Sequence, residues 1–399
     1  MKKHSLFTLL RTALYIGATG YGGPAIIMQM KKHMVDERAC VTESEFFETL
    51  GLAQILPGST GVSVMSGLGF RKYGLIGGLL APLFYVLPAT IAMLILSWAY
   101  FRYGHLSIVS TLFLGLGALV VALLLNATIG LGSSVFGTRW PVDWRAPLIA
   151  TFAFVEVVFF DFNIIAMILV SGLLGLLLYR LPGIHRTHGK DALGEVLSAP
   201  TPTRKIGLQR YDPLIIFGIV FLFVTLLTVP AFSNIVMTFF GIGSIAFGGG
   251  FAAIPIMQHQ IVGGMHWLDL PDFINGIALG QITPGPVFIT TTFVGYRVAG
   301  IWGGIVATFA VFLPSIFLIM GVSNFHKQVL SSVSVRSIVS GFLSGFIGLL
   351  AAITLQFGGE MLISWKAWYI FAGSVVWIIL LKKNPGWAII GAVGLALLL

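Results

Sequence analysis

Charge is scarce in this chain. Lys and Arg total 23 and Asp and Glu 14 among 399 residues, 9% in all, where a soluble domain carries roughly 25%. No water-facing surface of ordinary kind can be built from that supply. Cysteine is scarcer still. The one thiol, Cys40, excludes an intrachain disulfide, and no Cys or His stands at a spacing that would hold zinc or an iron-sulfur cluster, so neither metal nor cofactor is expected. H-E-x-x-H, G-x-S-x-G, a nucleotide-binding loop and paired aspartates on one helix face are all missing, which argues against an enzyme and against an ATP-driven pump. The net charge of +9 is scattered, without a basic stripe carrying interleaved aromatics, so nucleic acid is not an expected partner.

What the chain does have is apolar sequence. Hydrophobic residues make up 57% and the mean hydropathy is +0.97, so the useful unit is the apolar run of about 20 residues that crosses hydrocarbon. Runs fall near 6–28, 46–68, 74–99, 106–130, 146–160 and 163–179, then near 214–230, 233–256, 273–295, 301–322, 337–357, 367–381 and 386–399. The N-terminus has the basic head of a signal peptide, but Arg11 interrupts its apolar stretch and no small-residue cleavage site follows, so it reads as a retained first membrane segment. The expected fold is an all-α integral membrane protein of about 12–13 transmembrane or re-entrant helices.

One long polar stretch, rich in Pro, Gly, Thr and charge, separates six runs from seven. Its six basic residues, Arg180, Arg186, Lys190, Arg204, Lys205 and Arg210, outnumber its three acids, which places it in the cytoplasm. The expected organisation is a membrane repeat at 1–180, a linker at 181–212, and a second repeat at 213–399 with one extra leading helix. Gly69 to Pro88 matches Gly295 to Pro314 at eight of twenty positions without a gap, LGLAQILPG (50–58) matches IALGQITPG (277–285) at five of nine, and YGG (21–23) lies over FGG (247–249). Arg, Gln and Pro are rare in membrane segments and coincide here, so the halves read as a duplication. The unpaired run at 214–230 makes the copies inverted if the first half crosses an even number of times, the usual build of secondary transporters. Lys31, Lys32 and Arg38 fit a single first span poorly. Either that run is a re-entrant pair or those cations serve something other than topology.

Gly and Pro interruptions survive at membrane depth only against protein or a wet cavity, and they recur at matching places in the halves: Gly20 to Pro24, Pro57 to Gly61, Gly248 to Gly250, and Pro284 to Pro286. Such paired breaks point to a transporter's binding site, because a restarting helix offers free amides and the positive end of its dipole to an anion. Gly22, Gly23, Pro24, Pro57, Gly58, Gly248, Gly249, Gly250, Pro284 and Gly285 are therefore candidate substrate-binding positions. Gly74, Gly77, Gly78, Gly303 and Gly304 read instead as packing positions. Arg71 and Arg297 suit a tetrahedral oxyanion through the planar guanidinium fork, or brace the site, or snorkel at the interface. Gln54 and Gln281 either donate to an oxyanion or rejoin backbone freed by the proline. Thr283, Thr290, Thr291 and Thr292 either donate likewise or bond their own helices. Glu156, set in FAFVEVVFF, is a proton-coupling candidate by its apolar surroundings, although Asp161 lies five residues on. His33 and His259, aligned between the copies, are coupling candidates or interfacial polar residues.

Two halves that each open with an F-G-G-type turn and run through an L-A-Q-x-x-P-G-P-type break into G-x-x-x-G-x-x-G-G and a closing L-P resemble the chromate ion transporter family in its long, two-domain form. The most specific pieces are YGGP (21–24), LAQILPG (52–58), FGGGFAAIP (247–255) and GQITPGP (280–286). The resemblance implies antiparallel halves in a multi-pass protein of the inner cell membrane, with chromate efflux as the activity and sulfate as a competitor or related substrate. A homodimer is compatible with it, and the lipid bilayer is the only other partner expected. The chain departs from the pattern at Ser59, where the second proline of P-G-P is missing, and at Pro24, where the second half has Gly250, so the two copies need not share one role. An anion channel or a sulfate uptake transporter of the same fold stays open at this point.

Overall fold

A computed structural model of the chain describes residues 5–20, 23–104, 106–136, 143–160, 163–179, 229–323, 332–383 and 385–398. The polar linker, almost all of the unpaired run at 214–230, Gly22 and Asp161 lie outside the described residues. The protein is an all-α membrane protein, with no strand among the described residues. Its helices are α1 (Leu6–Thr19), α2 (Gly23–Lys31), α3 (Glu43–Ile55), α4 (Thr60–Tyr103), α5 (Ser107–Phe136), α6 (Arg145–Phe160) and α7 (Ile164–Leu178), then α8 (Pro230–Ile245), α9 (Ala253–Gln258), α10 (Leu270–Ile282), α11 (Thr290–Val322), α12 (Val333–Met361), α13 (Trp365–Val375) and α14 (Pro385–Leu398). Among the described residues four stretches are long and apolar enough to cross a membrane: Thr60–Tyr103, Val109–Phe136, Val287–Val322 and Val333–Met361. Contacts gather the chain into two compact units, one within Met1–Leu94, Pro182–Gly250 and Thr283–Val335, the other within Ile95–Leu181, Phe251–Ile282 and Arg336–Leu399. Each unit draws on both sequence halves.

In the first unit the broken runs fold into hairpins of short helices. The start of α1 is fixed by Ser5, whose hydroxyl accepts from the Thr8 amide, and the start of α3 by a capping box between Thr42 and Glu45. At 14 and 13 residues these helices are only about 20 Å long, short of the roughly 30 Å of hydrocarbon. α1 turns at Gly20 and comes back as α2 and a π-helical continuation, Lys32–Glu37. The Gln29 amide donates to Thr19 Oγ1 at 2.6 Å, the rings of Tyr15 and His33 meet edge to face at 5.0 Å, and Arg38 donates to Thr12 Oγ1 at 2.8 Å. One number of each pair falls as the other rises, so the two arms are antiparallel. The run at 6–28 is thus a hairpin rather than a single span, and it carries Lys31, Lys32 and Arg38 back toward the N-terminal end of α1. Lys31 pairs with Glu43 at 2.8 Å and Lys32 with Glu37 at 3.7 Å.

The next pair repeats the device. Arg71 meets Glu48 at 2.8 Å and Lys72 meets Glu45 at 3.0 Å, so α3 and the start of α4 lie antiparallel about the break at Pro57 and Gly58. α4 is itself a second hairpin. Gly74 takes φ 66° and ψ −152°, a region that only glycine adopts readily, and the arms on either side press together: a Cβ on Gly69 would overlap the Gly77 carbonyl, and one on Gly77 would overlap that of Gly69. Ser66 Oγ donates to the Gly78 carbonyl at 2.8 Å. α11 does the same at Gly300, with φ 61° and ψ −151°, and Gly295 and Gly303 press together as Gly69 and Gly77 do. Gly77 and Gly303 are the packing glycines expected from sequence; Gly74 instead makes the turn. α8 packs on α11, where Gly243 lies against the Val311 carbonyl as Gly17 lies against that of Tyr85.

The second unit is built on α5, which packs against α10, α13 and α14. Glycines let these helices approach closely: Gly175 and Gly341 touch between α7 and α12, and Gly348 of α12 seats against Ala150 of α6. Asp272 accepts a hydrogen bond from the Tyr100 hydroxyl at 2.5 Å, and that hydroxyl accepts from Asn275 at 2.9 Å.

Candidate functional site

The helix breaks meet inside the first unit, and they meet reciprocally. The sequence match pairs Gly20 with Ala246, Gly58 with Gly285, Ala89 with Ser315 and Leu94 with Met320. The Gly58 amide donates to the Ala246 carbonyl at 2.8 Å, and the Gly285 amide donates to the Gly20 carbonyl at 2.9 Å. Packing follows the same exchange. Gly58 lies against Ser315 and Gly285 against Ala89, while Gly78 lies against Met320 and Gly304 against Leu94. When residue i of one copy meets j of the other and j of the first meets i of the second, the relation is a two-fold rotation. A local two-fold therefore runs between the tips of the hairpins.

Gly58 and Gly285 have φ of 102° and 122°, where a side chain would be strained, and each is crowded as well: a Cβ on Gly285 would stand 2.7 Å from that of Ala89. The departure at Ser59 has a local reason. Ser59 has an amide hydrogen, which donates to Ser315 Oγ at 3.0 Å. In the other copy Pro286 has no amide hydrogen, and the residue facing Gly285 is Ala89, which has no acceptor on its side chain. Each copy is satisfied by a different pair.

No charged side chain occurs in the described parts of these breaks, 56–59, 246–250 and 283–286. Positive potential at the tips comes from backbone amides at helix starts, while the cations of the α3–α4 hairpin are matched by acids. The Glu48 side chain is 3% exposed and that of Arg71 14%. Glu48 also accepts from Ser44 Oγ at 3.3 Å. Arg297, in the corresponding place, is exposed, so the two arginines sit in different surroundings.

The remaining sequence candidates separate. Gly23 and Pro24 open α2. Pro57 is buried and Pro284 partly so. Gly248 and Gly249 take φ of 90° and 91°, and a Cβ on Gly249 would meet nothing within 4 Å, whereas one on Gly250 would meet Val287 at 2.6 Å. Gln54 is exposed, while the side-chain nitrogen of Gln281 is buried without a hydrogen-bond partner. The hydroxyls of Thr290 and Thr291 donate to the carbonyls of Val287 and Phe288, and Thr292 bonds Thr308 at 2.6 Å. His33 Nδ1 pairs with Glu37 at 2.6 Å, and this bond holds the Glu37 carboxyl below its ordinary value. His259 opens a second π-helical segment, His259–Gly264, matching Lys32–Glu37 in the first copy. Glu156 is half-buried on α6 in the other unit. Among the described residues no three His, Cys, Asp or Glu stand together to hold a metal. Sequence reasoning missed Glu48, Ser59 as a donor, and Ser315 as its acceptor; none of the three carries a local signal, since each partner is more than 20 residues away.

A sequence profile of the family described as chromate transporter matches residues 7–176 and 233–398, two stretches that begin 226 residues apart (233 minus 7), the offset that superposes Gly69 on Gly295. The chain is 31% identical over 384 residues to an uncharacterized transporter of Methanocaldococcus jannaschii, covering 95% of this chain and 90% of that protein. It is 30% identical over 362 residues to a probable chromate transport protein of Synechococcus elongatus, covering 90% and 86%. It is 28% identical over 346 residues to a chromate transport protein of Cupriavidus metallidurans, covering 86% and 80%. No solved structure matches the chain.

Proposed function

The chain belongs to the chromate transporter family, and from that premise we propose that it is a secondary transporter that carries chromate out of the cell across the inner membrane, with sulfate competing for the same site. The observation that carries this reading is the reciprocal bonding of the helix tips, Gly58 to Ala246 and Gly285 to Gly20. Breaks from both copies meet at one place, and a tetrahedral dianion held there is solvated by amides at helix starts in place of water. The copies are antiparallel in this reading. The hairpins 6–37 and 43–73 each return toward where they begin, and an even number of crossings in the first half agrees with the basic excess of the linker sequence, which favours the cytoplasmic side. The extra run at 214–230 then carries the second copy across. Arg71 braces the α3–α4 hairpin through Glu48, and Glu156 is the carboxylate available for proton coupling.

Chromate and sulfate are similar in size, shape and charge, so a site of amides and hydroxyls separates them weakly and competition between them is expected. The test is radiolabelled chromate and sulfate flux in proteoliposomes, with and without an imposed proton gradient. Saturable chromate flux that responds to the gradient and is inhibited by sulfate is the expected result. Flux that never saturates and ignores the gradient means a channel, and no flux of either anion removes the reading.

A further inference from the structure

Two side-chain atoms among the described residues are buried without a hydrogen-bond partner, Ser63 Oγ and Gln281 Nε2. The serine has a remedy at hand, because rotation about χ1 brings a helical hydroxyl to the carbonyl one turn back. The glutamine has none of that kind. Its amide nitrogen carries two N–H groups and accepts nothing, so whatever satisfies it must be an acceptor. A buried donor left empty is costly and uncommon, and it calls for an explanation.

Gln281 stands on the last turn of α10, which ends at Ile282. The residue is partly buried and its amide nitrogen fully so, and Ile277, Ala278 and Leu279 before it are buried and apolar. The carbonyls at the end of α10 have no following turn to serve them, and Pro284 brings no amide hydrogen. They are the acceptors to which a glutamine here would rejoin, and Nε2 bonds to none of them. Rejoining the freed backbone, one of the two roles that the sequence leaves open for this residue, is therefore not taken, and donation to an oxyanion is the role left. Gln54, its match in the first copy, is exposed instead, so the paired glutamines sit in different surroundings.

We propose that Gln281 is a substrate-binding residue whose side-chain N–H groups donate to the oxyanion. This rests on the transport reading above. Gln281 precedes Gly285, whose amide bonds to Gly20, by four residues, and the described parts of the breaks carry no charged side chain. A neutral amide suits that setting. It gives a dianion one directed hydrogen bond, whereas a fixed cation in its place would bind more strongly and oppose release.

The experiment compares wild type with Gln281→Met, which keeps the length of the side chain and removes its donors, and Gln281→Glu, which keeps the shape and presents an acceptor in their place. Chromate flux in proteoliposomes and thermal unfolding in detergent, with and without sulfate, are measured for all three. Gln281→Met should raise KM for chromate by about tenfold to a hundredfold, the value of one hydrogen bond to a charged group, and should shrink the rise in Tm that sulfate gives the wild type. Its Tm without anion should stay level or rise, because the variant no longer buries an empty donor. Gln281→Glu should lose saturable chromate flux. Either variant decides the matter should the other fail to fold. If Gln281→Met keeps the wild-type KM and melts earlier without anion, the amide is held by an ordered water and serves the fold, which overturns the proposal. A wild-type KM in Gln281→Glu overturns it too, since the buried atom is then an acceptor. In both of these cases the wild type carries chromate and the transport reading stands. If the wild type carries neither anion, that reading itself falls and the assignment of Gln281 with it.

Discussion

The ion pair between Glu48 and Arg71 offers a sharp test of whether a buried arginine here serves the anion or the fold. The two groups are 2.8 Å apart, with side chains 3% and 14% exposed. At that distance, and with the effective dielectric of about 20 that suits such pairs, the attraction is about 6 kcal/mol, set against a desolvation cost of several kcal/mol for each ion. The pair as a whole is therefore near neutral relative to an uncharged pair of the same shape. Either half alone is not. Arg71→Met leaves Glu48 charged and buried, with Ser44 donating to it at 3.3 Å, and should cost about 3–5 kcal/mol; Glu48→Gln should cost a similar amount. The double variant should recover most of the loss, giving a coupling energy of about 3 kcal/mol in a double-mutant cycle. The assay is denaturant unfolding in detergent for the four proteins, with chromate flux in proteoliposomes alongside. Bracing predicts that the double variant regains both stability and a wild-type KM. Additive single losses would show that the pair does not act as a unit, and a double variant that is stable yet keeps the high KM of Arg71→Met would mean that the guanidinium touches the anion.

Ser315→Ala removes the acceptor of the Ser59 amide and should destabilise by about 1–3 kcal/mol, whereas Ala89→Ser, which faces a copy with Pro286 and no amide hydrogen, should bring no gain; equal effects in unfolding experiments would contradict the exchange described for the tips. Gly74→Ala and Gly300→Ala force a side chain into φ 66° and 61° with ψ near −150° and should each cost about 1–3 kcal/mol, seen as earlier unfolding in denaturant; a variant as stable as wild type would mean that the chain does not turn there. In a Cys40→Ala background, Ser5→Cys and Lys32→Cys should react with a membrane-impermeant maleimide from the same side of oriented vesicles, because α1 and α2 return together; labelling from opposite sides would rule out the first hairpin.

Much of this protein is local, and what is local could be read from the chain. An apolar run long enough for hydrocarbon makes a membrane helix wherever it occurs, because the backbone has no other way to satisfy its hydrogen bonds there. The duplication was legible from Arg, Gly, Gln and Pro at a fixed offset, and the sites of the breaks from glycine and proline, whose φ/ψ limits belong to the residues themselves. The shared glycines at 74 and 300 were visible, but their role was not: a glycine in an apolar run reads as packing until the arms beside it are seen folded together. Spanning and re-entrant runs have the same composition. Only the pairing of Thr19 with Gln29, Tyr15 with His33 and Thr12 with Arg38 made the first run a hairpin.

The amino-acid sequence alone determined that the chain is helical, lies in a membrane, repeats itself and breaks its helices at matching places. The tertiary structure alone decided which breaks touch, that Arg71 meets Glu48, that Gln54 faces outward while the Gln281 nitrogen is buried, and that Gly61 faces the Tyr85 hydroxyl. The reason is that hydropathy and backbone preference are properties of neighbours along the chain. A hydrogen bond between Ser59 and Ser315, 256 residues apart, depends on two helices meeting at a given angle and register, and no short stretch of sequence carries that information.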